Sequence, residues 1–312
     1  MSSKAPKTGP SLPISGEPRP HREAEQPVKS SLSPGLYIVS TPIGNLRDIT
    51  LRALDVLAGA EEVLAEDTRT AQKLLTAHGL SAKLTPYHDH NGADRRPDLI
   101  RKLSDGAVLA LVSDAGTPLV SDPGYKLVAE AAQAGVAVVP VPGASAMLAG
   151  LVVAGLPSDR FMFAGFLPAK SGQRRSALEE VAYVPATLVF YETGPRLAAS
   201  LADMAKVLGP ARGACVAREL TKLFEQARRG TLADLASEYA DEPAPKGEIV
   251  VLIGPPTEKA ASAYDLDAAL ADALATMPTK QAAQAVAEAL GVPRRTAYQR
   301  ALALKAKTNG ES

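Results

Sequence analysis

The chain has 312 residues, of which 46% are hydrophobic and 22% are charged, and this balance indicates a soluble globular protein of about two domains. Its 34 basic and 34 acidic residues give a net charge of zero, which excludes a protein drawn to nucleic acid or membranes by its overall charge and leaves only local patches. A single cysteine, Cys215, excludes an intrachain disulfide framework and a cysteine-rich zinc site.

The N-terminal segment, residues 1–34, carries seven prolines among serine, lysine and glutamate, so we predict a disordered arm there. No apolar run in the chain approaches the ~20 residues of a membrane-spanning helix. The first residues also lack the apolar stretch of a secretory signal. We therefore expect a cytoplasmic protein with no membrane partner.

From residue 35 onward, short apolar runs typical of strands alternate with helical patterns. Strands are predicted at residues 36–39, 62–65, 84–87, 107–112 and 136–141, and helices at residues 51–58, 70–78, 94–103 and 124–134. This alternation predicts an α/β domain with a largely parallel sheet over residues 35–156.

The pattern restarts near residue 157, where a second α/β domain is predicted over residues 157–256. Its strands are predicted at residues 160–166, 187–191, 213–217, 226–231 and 248–253, with helices between them. Residues 257–312 form a third segment, with helices at residues 266–275, 279–290 and 294–305. A helix, a short glycine-containing turn and a second helix match the helix-turn-helix pattern.

Three loops rich in glycine and proline follow predicted strands of the first domain, at residues 41–45, 113–124 and 142–146. Ligands of open α/β sheets bind beyond the carboxyl ends of the strands, so these loops indicate one shared cleft. The alternative is that glycine and proline merely turn the chain.

The residues of these loops disfavour a phosphate cradle. The chain has no G-x-G-x-x-G after its first strand and no P-loop, and none of the three loops contains lysine or arginine. A cationic or neutral ligand fits better, such as a sulfonium cofactor whose positive end Asp114 would face.

Five motifs, in this order along the chain, resemble the tetrapyrrole methylase superfamily: Thr41-Pro42-Ile43-Gly44-Asn45-Leu46, Glu66-Asp67-Thr68-Arg69, Ser113-Asp114-Ala115-Gly116-Thr117-Pro118, Ser121-Asp122-Pro123-Gly124 and Val141-Pro142-Gly143-Ala144-Ser145-Ala146. Within the superfamily, the chain is similar to the enzymes that methylate the ribose 2′-hydroxyl of a decoding-centre cytidine in 16S rRNA of the small ribosomal subunit. The resemblance covers about residues 35–254 and extends less sharply into the C-terminal helices.

The resemblance implies two α/β domains of the tetrapyrrole methylase type, with a cleft for S-adenosylmethionine between them, a helical C-terminal extension and a homodimer. It also implies which residues bind the cofactor: Pro42, Gly44, Asp114, Ala115, Gly116, Thr117, Pro118, Pro142, Gly143, Ala144, Ser145 and Ala146. Residues 166–168 and Ala217 of the second domain are further candidates to close the cleft.

Methyl transfer to a ribose hydroxyl is an in-line displacement at carbon, which needs orientation and a base for the hydroxyl proton. The candidate bases are Glu66, Asp67, Asp89 and Glu192. We favour Asp67 held by Arg69, because an arginine keeps a carboxylate charged and in position. Capping of the helix that follows explains Asp67 equally well, and Glu192 either contacts substrate or simply ends its strand.

One cluster invites a metal interpretation, His88-Asp89-His90, which follows a predicted strand as an ordinary polar loop. The proposed chemistry needs no metal, because the sulfonium is already a good leaving group. We therefore predict no metal and expect this cluster to contact substrate instead.

The substrate class depends on local charge. Residues 276–308 contain six basic residues and one acidic residue, which on a neutral protein is typical of a nucleic-acid-binding segment. The RNA-binding candidates are Lys170, Arg174, Arg175, Lys280, Arg294, Arg295 and Arg300. Three alternatives stay open. The helices are a solvated appendage or dimer contact, the whole chain is a precorrin-type tetrapyrrole C-methyltransferase, or the chain is a non-catalytic RNA-binding module, against which the three cofactor-like loops argue.

Overall fold

The computed structural model describes residues 32–88, 91–256, 258–290 and 292–309. The predicted disordered arm lies outside the described residues except for its last three positions. Asp89 and His90 of the predicted polar cluster also lie outside them.

The first sheet has five strands, β1 (Gly35–Val39), β2 (Glu62–Ala65), β3 (Leu84–Pro86), β4 (Val108–Val112) and β5 (Val138–Val141). They pair in the order β3-β2-β4-β1-β5, and every pairing is parallel. The predicted parallel α/β fold is confirmed. Because β4, β1 and β5 are neighbours, the three loops that follow them leave the same edge of the sheet side by side.

Four helices cover the two faces of this sheet: α1 (Leu51–Gly59), α2 (Thr68–Ala77), α3 (Gly92–Ser104) and α4 (Tyr125–Gln133). On one face, α1 and α2 bury Leu57 and Leu75 against alternate strand residues such as Val39. On the other face, α3 and α4 bury their apolar side chains against Leu36 and its neighbours. Alternation along each strand therefore supplies two cores, one per face.

The second sheet contains β6 (Phe161–Phe166), β7 (Thr187–Thr193), β8 (Gly213–Arg218), β9 (Gln226–Thr231) and β10 (Glu248–Ile253), in the order β6-β7-β10-β8-β9. Only β6 and β7 are parallel; the other pairings are antiparallel. The helices α6 (Ser171–Val181), α7 (Gly194–Leu208) and α8 (Leu232–Asp241) contribute to the apolar core on one face of the sheet. Cys215 of β8 is buried in the core of the opposite face.

The helix α5 (Ala146–Ala154) joins the two halves and was not predicted from the sequence. It follows β5 of the first sheet, yet it packs Leu151 and Ala154 against β8 and β10 of the second sheet. A Cβ on Gly150 would lie 3.0 Å from the Val250 side chain, so a glycine permits the close approach. The segment is apolar almost throughout, so it lacks the periodic polar face by which a helix is recognised in sequence.

The C-terminal extension is three helices, α9 (Glu258–Thr276), α10 (Thr279–Leu290) and α11 (Arg294–Asn309), which pack around their own small apolar core. The predicted bounds of α10 are confirmed, while α9 begins eight residues before the predicted start at residue 266. No helix in the described part of the chain has the length and hydropathy needed to cross a bilayer.

Candidate active site

The three glycine- and proline-rich loops are tied together by hydrogen bonds. The backbone N–H of Thr41 donates to the Gly116 carbonyl (2.8 Å), and Gly116 N–H donates back to Thr41 (3.1 Å). The Thr117 hydroxyl donates to the Ala144 carbonyl (3.1 Å) and lies 3.0 Å from the Ser40 hydroxyl. One threonine thus links all three loops into a single wall.

Between this wall and the second sheet lies a cavity of about 370 Å³, which we call the intersheet cleft. Its first wall comes from the loops that follow β1, β4 and β5 and its second from β7 and β10. The cleft is lined by Ile43, Glu66, Asp114, Ala115, Gly116, Thr117, Val120, Ser121, Asp122, Ser145, Ala146, Phe166, Tyr191, Glu192, Thr193, Leu220, Gly247, Glu248, Ile249 and Val250.

A second cavity of about 320 Å³, the flanking cleft, adjoins the first and shares Ile43, Asp114, Ala115 and Glu248 with it. It is also lined by Pro42, Gly44, Lys73 and Lys222. Lysine side chains line the flanking cleft and are absent from the described lining of the intersheet cleft.

The predicted cofactor residues divide into three groups by position. Asp114, Ala115, Gly116, Thr117, Ser145 and Ala146 line the intersheet cleft, whereas Pro42 and Gly44 line the flanking cleft. The remaining four, Pro118, Pro142, Gly143 and Ala144, line neither cavity.

Gly143 and Ala144 shape the wall from behind instead. A Cβ on Gly143 would lie 2.8 Å from the Ser40 side chain, so only glycine permits that packing. The further candidates in the second domain were residues 166–168 and Ala217. Phe166 lines the intersheet cleft, whereas Leu167, Pro168 and Ala217 do not.

The intersheet cleft is acidic. In the part of the chain that the structure describes, no lysine, arginine or histidine lines it, whereas five carboxylate residues do: Glu66, Asp114, Asp122, Glu192 and Glu248. Burial raises the pKa of Asp122; a hydrogen bond from Ser113 opposes this effect, and the charge of Asp114 adds to it. Burial also raises the pKa of Tyr191, against an opposing backbone contact with Met147. A cavity of this character favours a positively charged ligand.

Loops on both sides of the intersheet cleft contain strained backbone conformations. Leu119 (φ 75°) and Ser121 (φ 65°) take left-handed conformations in the loop after β4. Glu219 (φ 52°) and Thr221 (φ 65°) do so in the loop after β8. Such conformations cost about 1–3 kcal/mol each for residues other than glycine and cluster at functional sites. The surrounding contacts therefore hold these loops in one shape.

Of the two interpretations of Asp67, base and helix cap, the structure shows the helix cap. Asp67 caps α2 by accepting the Arg69 N–H (2.8 Å), and both of its carboxylate oxygens accept from the Arg69 guanidinium. These bonds lower the pKa of Asp67 to about 2, so the carboxylate is a weak proton acceptor. Neither residue lines the intersheet cleft, but the Asp67 N–H donates to Asp114 (3.1 Å) and so positions that side chain.

Glu192 lies within β7, one residue before its end, whereas the predicted strand stops at residue 191. Its carboxylate accepts from the Ser200 hydroxyl (2.6 Å) and the Thr193 N–H (2.8 Å), and Arg196 lies 3.3 Å away. Its side chain is buried, so these partners make Glu192 an anchor between β7 and α7. Glu192 therefore holds these two elements together.

The seven predicted RNA-binding residues do not share one environment. Lys280, Arg294 and Arg295 are exposed on α10 and α11, and Arg300 is exposed while paired with Asp267. Arg174 is wrongly predicted, because it is only 4% exposed and its guanidinium binds Asp203 (2.7 Å) in the core of the second domain. Lys170 is exposed and Arg175 partly so.

Three features of the site were missed at the level of sequence. Asp122 enters the sequence analysis only as part of a loop motif, although it follows Asp114 in the same strand-end loop and is a partly buried carboxylate of the cleft. Tyr191 and residues 247–250 were not predicted to line the cleft at all. Position at the end of β4 was a usable signal for Asp122, whereas no local pattern marks the wall formed by β10.

Comparisons with known proteins agree with this architecture. A family model described as tetrapyrrole (corrin/porphyrin) methylases matches residues 35–236, and a model described as the RsmI C-terminal HTH domain matches residues 260–305. This chain is 53% identical to a protein named ribosomal RNA small subunit methyltransferase I from Mesorhizobium japonicum and 55% identical to a protein of the same name from Erythrobacter litoralis. The first alignment covers 90% of this chain and 95% of the relative. The second covers 88% of this chain and 96% of the relative.

Solved structures share the fold at low identity. Diphthine synthase superposes with a TM-score of 0.55 at 16% identity, over 70% of this chain and 89% of its own. A cobalt precorrin-4 methyltransferase superposes with a TM-score of 0.52 at 18% identity. That superposition covers 70% of this chain and 94% of the methyltransferase chain. These likenesses establish the fold alone.

Proposed function

The chain belongs to the tetrapyrrole methylase family and is an S-adenosylmethionine-dependent methyltransferase of ribosomal RNA, and we propose that its target is the ribose 2′-hydroxyl of a decoding-centre cytidine in 16S rRNA. One observation carries this proposal: relatives that share the rRNA methyltransferase name match both the two-sheet body and the helical extension. The methylase architecture alone would fit a porphyrinoid substrate equally well.

The residues of the intersheet cleft fit S-adenosylmethionine, which when bound supplies a methyl group on a positively charged sulfur. Asp114 would hold the cationic part, because its carboxylate lines a cleft that contains no described cationic side chain. Gly116 and Ala115 would offer backbone groups at close range, and Ser145 and Ala146 would complete the wall at the start of α5.

Asp122 is the residue that we propose as proton acceptor. Bound S-adenosylmethionine would supply the methyl group, and Asp122 would accept the proton that the ribose hydroxyl gives up. Asp122 lines the cleft and forms no ion pair among the described residues. Its raised pKa makes it a better acceptor than Asp67, whose pKa is about 2.

The exposed cations of the extension would bind the RNA backbone. Lys280, Arg294 and Arg295 are exposed on helices that pack on their own core, so their charges are available to phosphates. We propose the same role for Arg300, Lys170 and Arg175 and withdraw it for Arg174. These contacts would position the small ribosomal subunit without reading its sequence.

We also propose that the protein acts as a homodimer in the cytoplasm. Apolar side chains are exposed on α5 (Leu148 and Val152) and on the edge strand β6 (Phe161 and Met162), where a second copy would cover them. Sedimentation equilibrium at micromolar concentration should give twice the chain mass of 32.4 kDa. A single species at 32.4 kDa would contradict the dimer.

The decisive experiment uses radiolabelled S-adenosylmethionine and small ribosomal subunits from a strain that lacks the modification. After alkaline hydrolysis, label in one alkali-resistant dinucleotide would support ribose 2′-O-methylation, because the methylated 2′-oxygen blocks cleavage of the next phosphodiester. Cofactor binding without transfer to RNA, together with label transferred to a porphyrinoid substrate, would favour the tetrapyrrole alternative.

A further inference from the structure

The loop that joins β8 to β9 presents two apolar side chains to solvent at its tip. Leu223 is 90% exposed and Phe224 is 70% exposed. Side chains this exposed contribute little to folding, because they bury almost no apolar area. Their presence on a loop therefore calls for a binding explanation.

The loop is rigid rather than loosely connected. Lys222 Nζ contacts the carboxylates of Glu219 (2.9 Å) and Glu248 (3.1 Å), and the Thr221 N–H donates to Glu225 (2.6 Å). Glu219 and Thr221 hold left-handed conformations between these contacts. A network of this kind keeps the tip in one position, as a preorganised binding surface requires.

The loop that carries this tip borders both clefts. Leu220 lines the intersheet cleft, and Lys222 lines the flanking cleft. The Lys222 side chain also lies within 2.5 Å of where a Gly44 Cβ would stand, so the loop reaches the first wall. On that wall, Lys73 lines the flanking cleft and is exposed.

We infer that Leu223 and Phe224 form a platform on which an unpaired base of the RNA substrate stacks; this inference rests on the proposed function. When a nucleotide leaves the helical stack so that its ribose enters the cleft, base faces are exposed beside the reaction site. Proteins that recognise such bases stack them on exposed aromatic rings.

The local charges at this tip favour contact with an RNA nucleobase over contact with a phosphate. The Lys222 ammonium is already neutralised by two carboxylates, so the loop offers an apolar face without free positive charge. On the facing wall, Lys73 of α2 lines the flanking cleft, and Arg47 is exposed on the short helical turn Leu46–Asp48 next to the lining residue Leu46, so both would contact the flanking phosphates. The two walls thus provide separate surfaces for the nucleobase and for the sugar-phosphate backbone of the RNA.

The test compares Phe224→Ala, Phe224→Leu and Phe224→Trp with the wild-type protein on small ribosomal subunits that lack the modification. Leu51→Ala is the control, because Leu51 is an 81% exposed apolar residue on α1 outside both clefts. We expect Phe224→Ala to lower kcat/KM about 5- to 150-fold, mainly through KM. Phe224→Trp should retain activity, Phe224→Leu should not, and Leu51→Ala should match the wild type.

Three further readouts separate stacking from other roles. The Kd for S-adenosylmethionine, the melting temperature and the sedimentation mass of Phe224→Ala should all equal those of the wild type. Full activity of Phe224→Ala, equal activities of the leucine and tryptophan variants, or loss of a dimer in Phe224→Ala would each overturn the inference. If wild-type protein methylates the subunits and Phe224→Ala does so equally well, stacking alone fails; if the wild type transfers no methyl group, the proposed function fails too.

Discussion

The intersheet cleft and the C-terminal extension differ in construction, and the cleft is opposite in charge to the basic segment of the extension, residues 276–308. Five carboxylate residues line the described part of the cleft. The loops around it contain strained backbone conformations, and hydrogen bonds join the loops of the first wall to one another. The extension is a three-helix unit with its own core, and its exposed surface carries Lys280, Arg294 and Arg295. One region suits a cationic cofactor and the other suits an anionic polymer.

The difference explains how a chain of net charge zero can serve both ligands. If the charges were mixed evenly, neither the cofactor nor the RNA would find a favourable local potential. Segregation provides both potentials at the same total charge, and it predicts that variants in one region leave binding in the other region unchanged. Each of the following variants tests that independence.

The largest effect is expected from Asp122→Asn in the cleft, which should lower kcat about 10²–10⁴-fold because it removes the proposed base. The Kd for small subunits should not change. In the wild type, kcat should rise with pH through the raised pKa of Asp122 and then level, because the base acts only when ionised. Single-turnover rates across pH check this, and an unchanged rate and pH profile in the variant would exclude Asp122 as base.

Stability gives an independent readout of the same variant. A raised pKa means that the contribution of Asp122 to stability is fully present below its ordinary value of 3.8 and is lost as the pH rises through the folded value. At neutral pH, Asp122→Asn should therefore be at least as stable as the wild type in urea. A large loss of stability would show that the kinetic defect comes from misfolding.

The second test concerns a basic residue that belongs to neither region. Arg174→Ala should lower the free energy of unfolding by about 3–5 kcal/mol, because it leaves the Asp203 carboxylate buried without its closest charged partner. At temperatures where the variant stays folded, its affinity for small subunits should equal that of the wild type. Arg175→Ala is the matched control, since Arg175 lies 4.0 Å from Asp203 and is partly exposed. Equal stability of the two variants would contradict our assignment of Arg174 to the core.

The third test removes one charge from the cleft. Asp114→Asn should raise the Kd for S-adenosylmethionine about 10- to 100-fold, because hydrogen bonds to a charged group contribute ~1.5–3 kcal/mol. An asparagine oxygen can still accept the Asp67 N–H, so the loop should keep its position. Calorimetric titration measures the change, with the exposed Asp159→Asn as control. If both variants bind the cofactor like the wild type, Asp114 does not face its positive charge.

The smallest effect is expected in the extension. Arg294→Ala and Arg295→Ala should each reduce the slope of log affinity against log salt by about 1, because each removes one phosphate contact. The Kd for S-adenosylmethionine should stay at its wild-type value. The control is Lys206→Ala, an exposed cation on α7 of the second domain. Identical salt slopes in all three variants would favour the dimer-contact interpretation of the extension.

Much of the fold was predictable because its patterns are local. Strand and helix periods placed β2, β9, β10 and α10 at their observed bounds, and motifs at strand ends identified Asp114 and Ser145 as residues of the cleft. Where a segment is apolar on all sides, as α5 is, the period disappears and the helix was missed. Charge alone misled at Arg174, because nothing local shows that Asp203 of another helix lies beside it.

The sequence by itself determined the two-sheet α/β plan, the three loops, the methylase resemblance and the basic tail, since each is written in contiguous residues. Only the tertiary structure decided how the candidate residues differ in chemistry. Asp67 is neutralised by Arg69, Glu192 is enclosed by α7, and Asp122 is desolvated against Ser113 without an ion pair among the described residues. The physical reason is that a carboxylate's basicity depends on its burial and on its hydrogen-bonding and charged neighbours, which folding draws from distant parts of the chain.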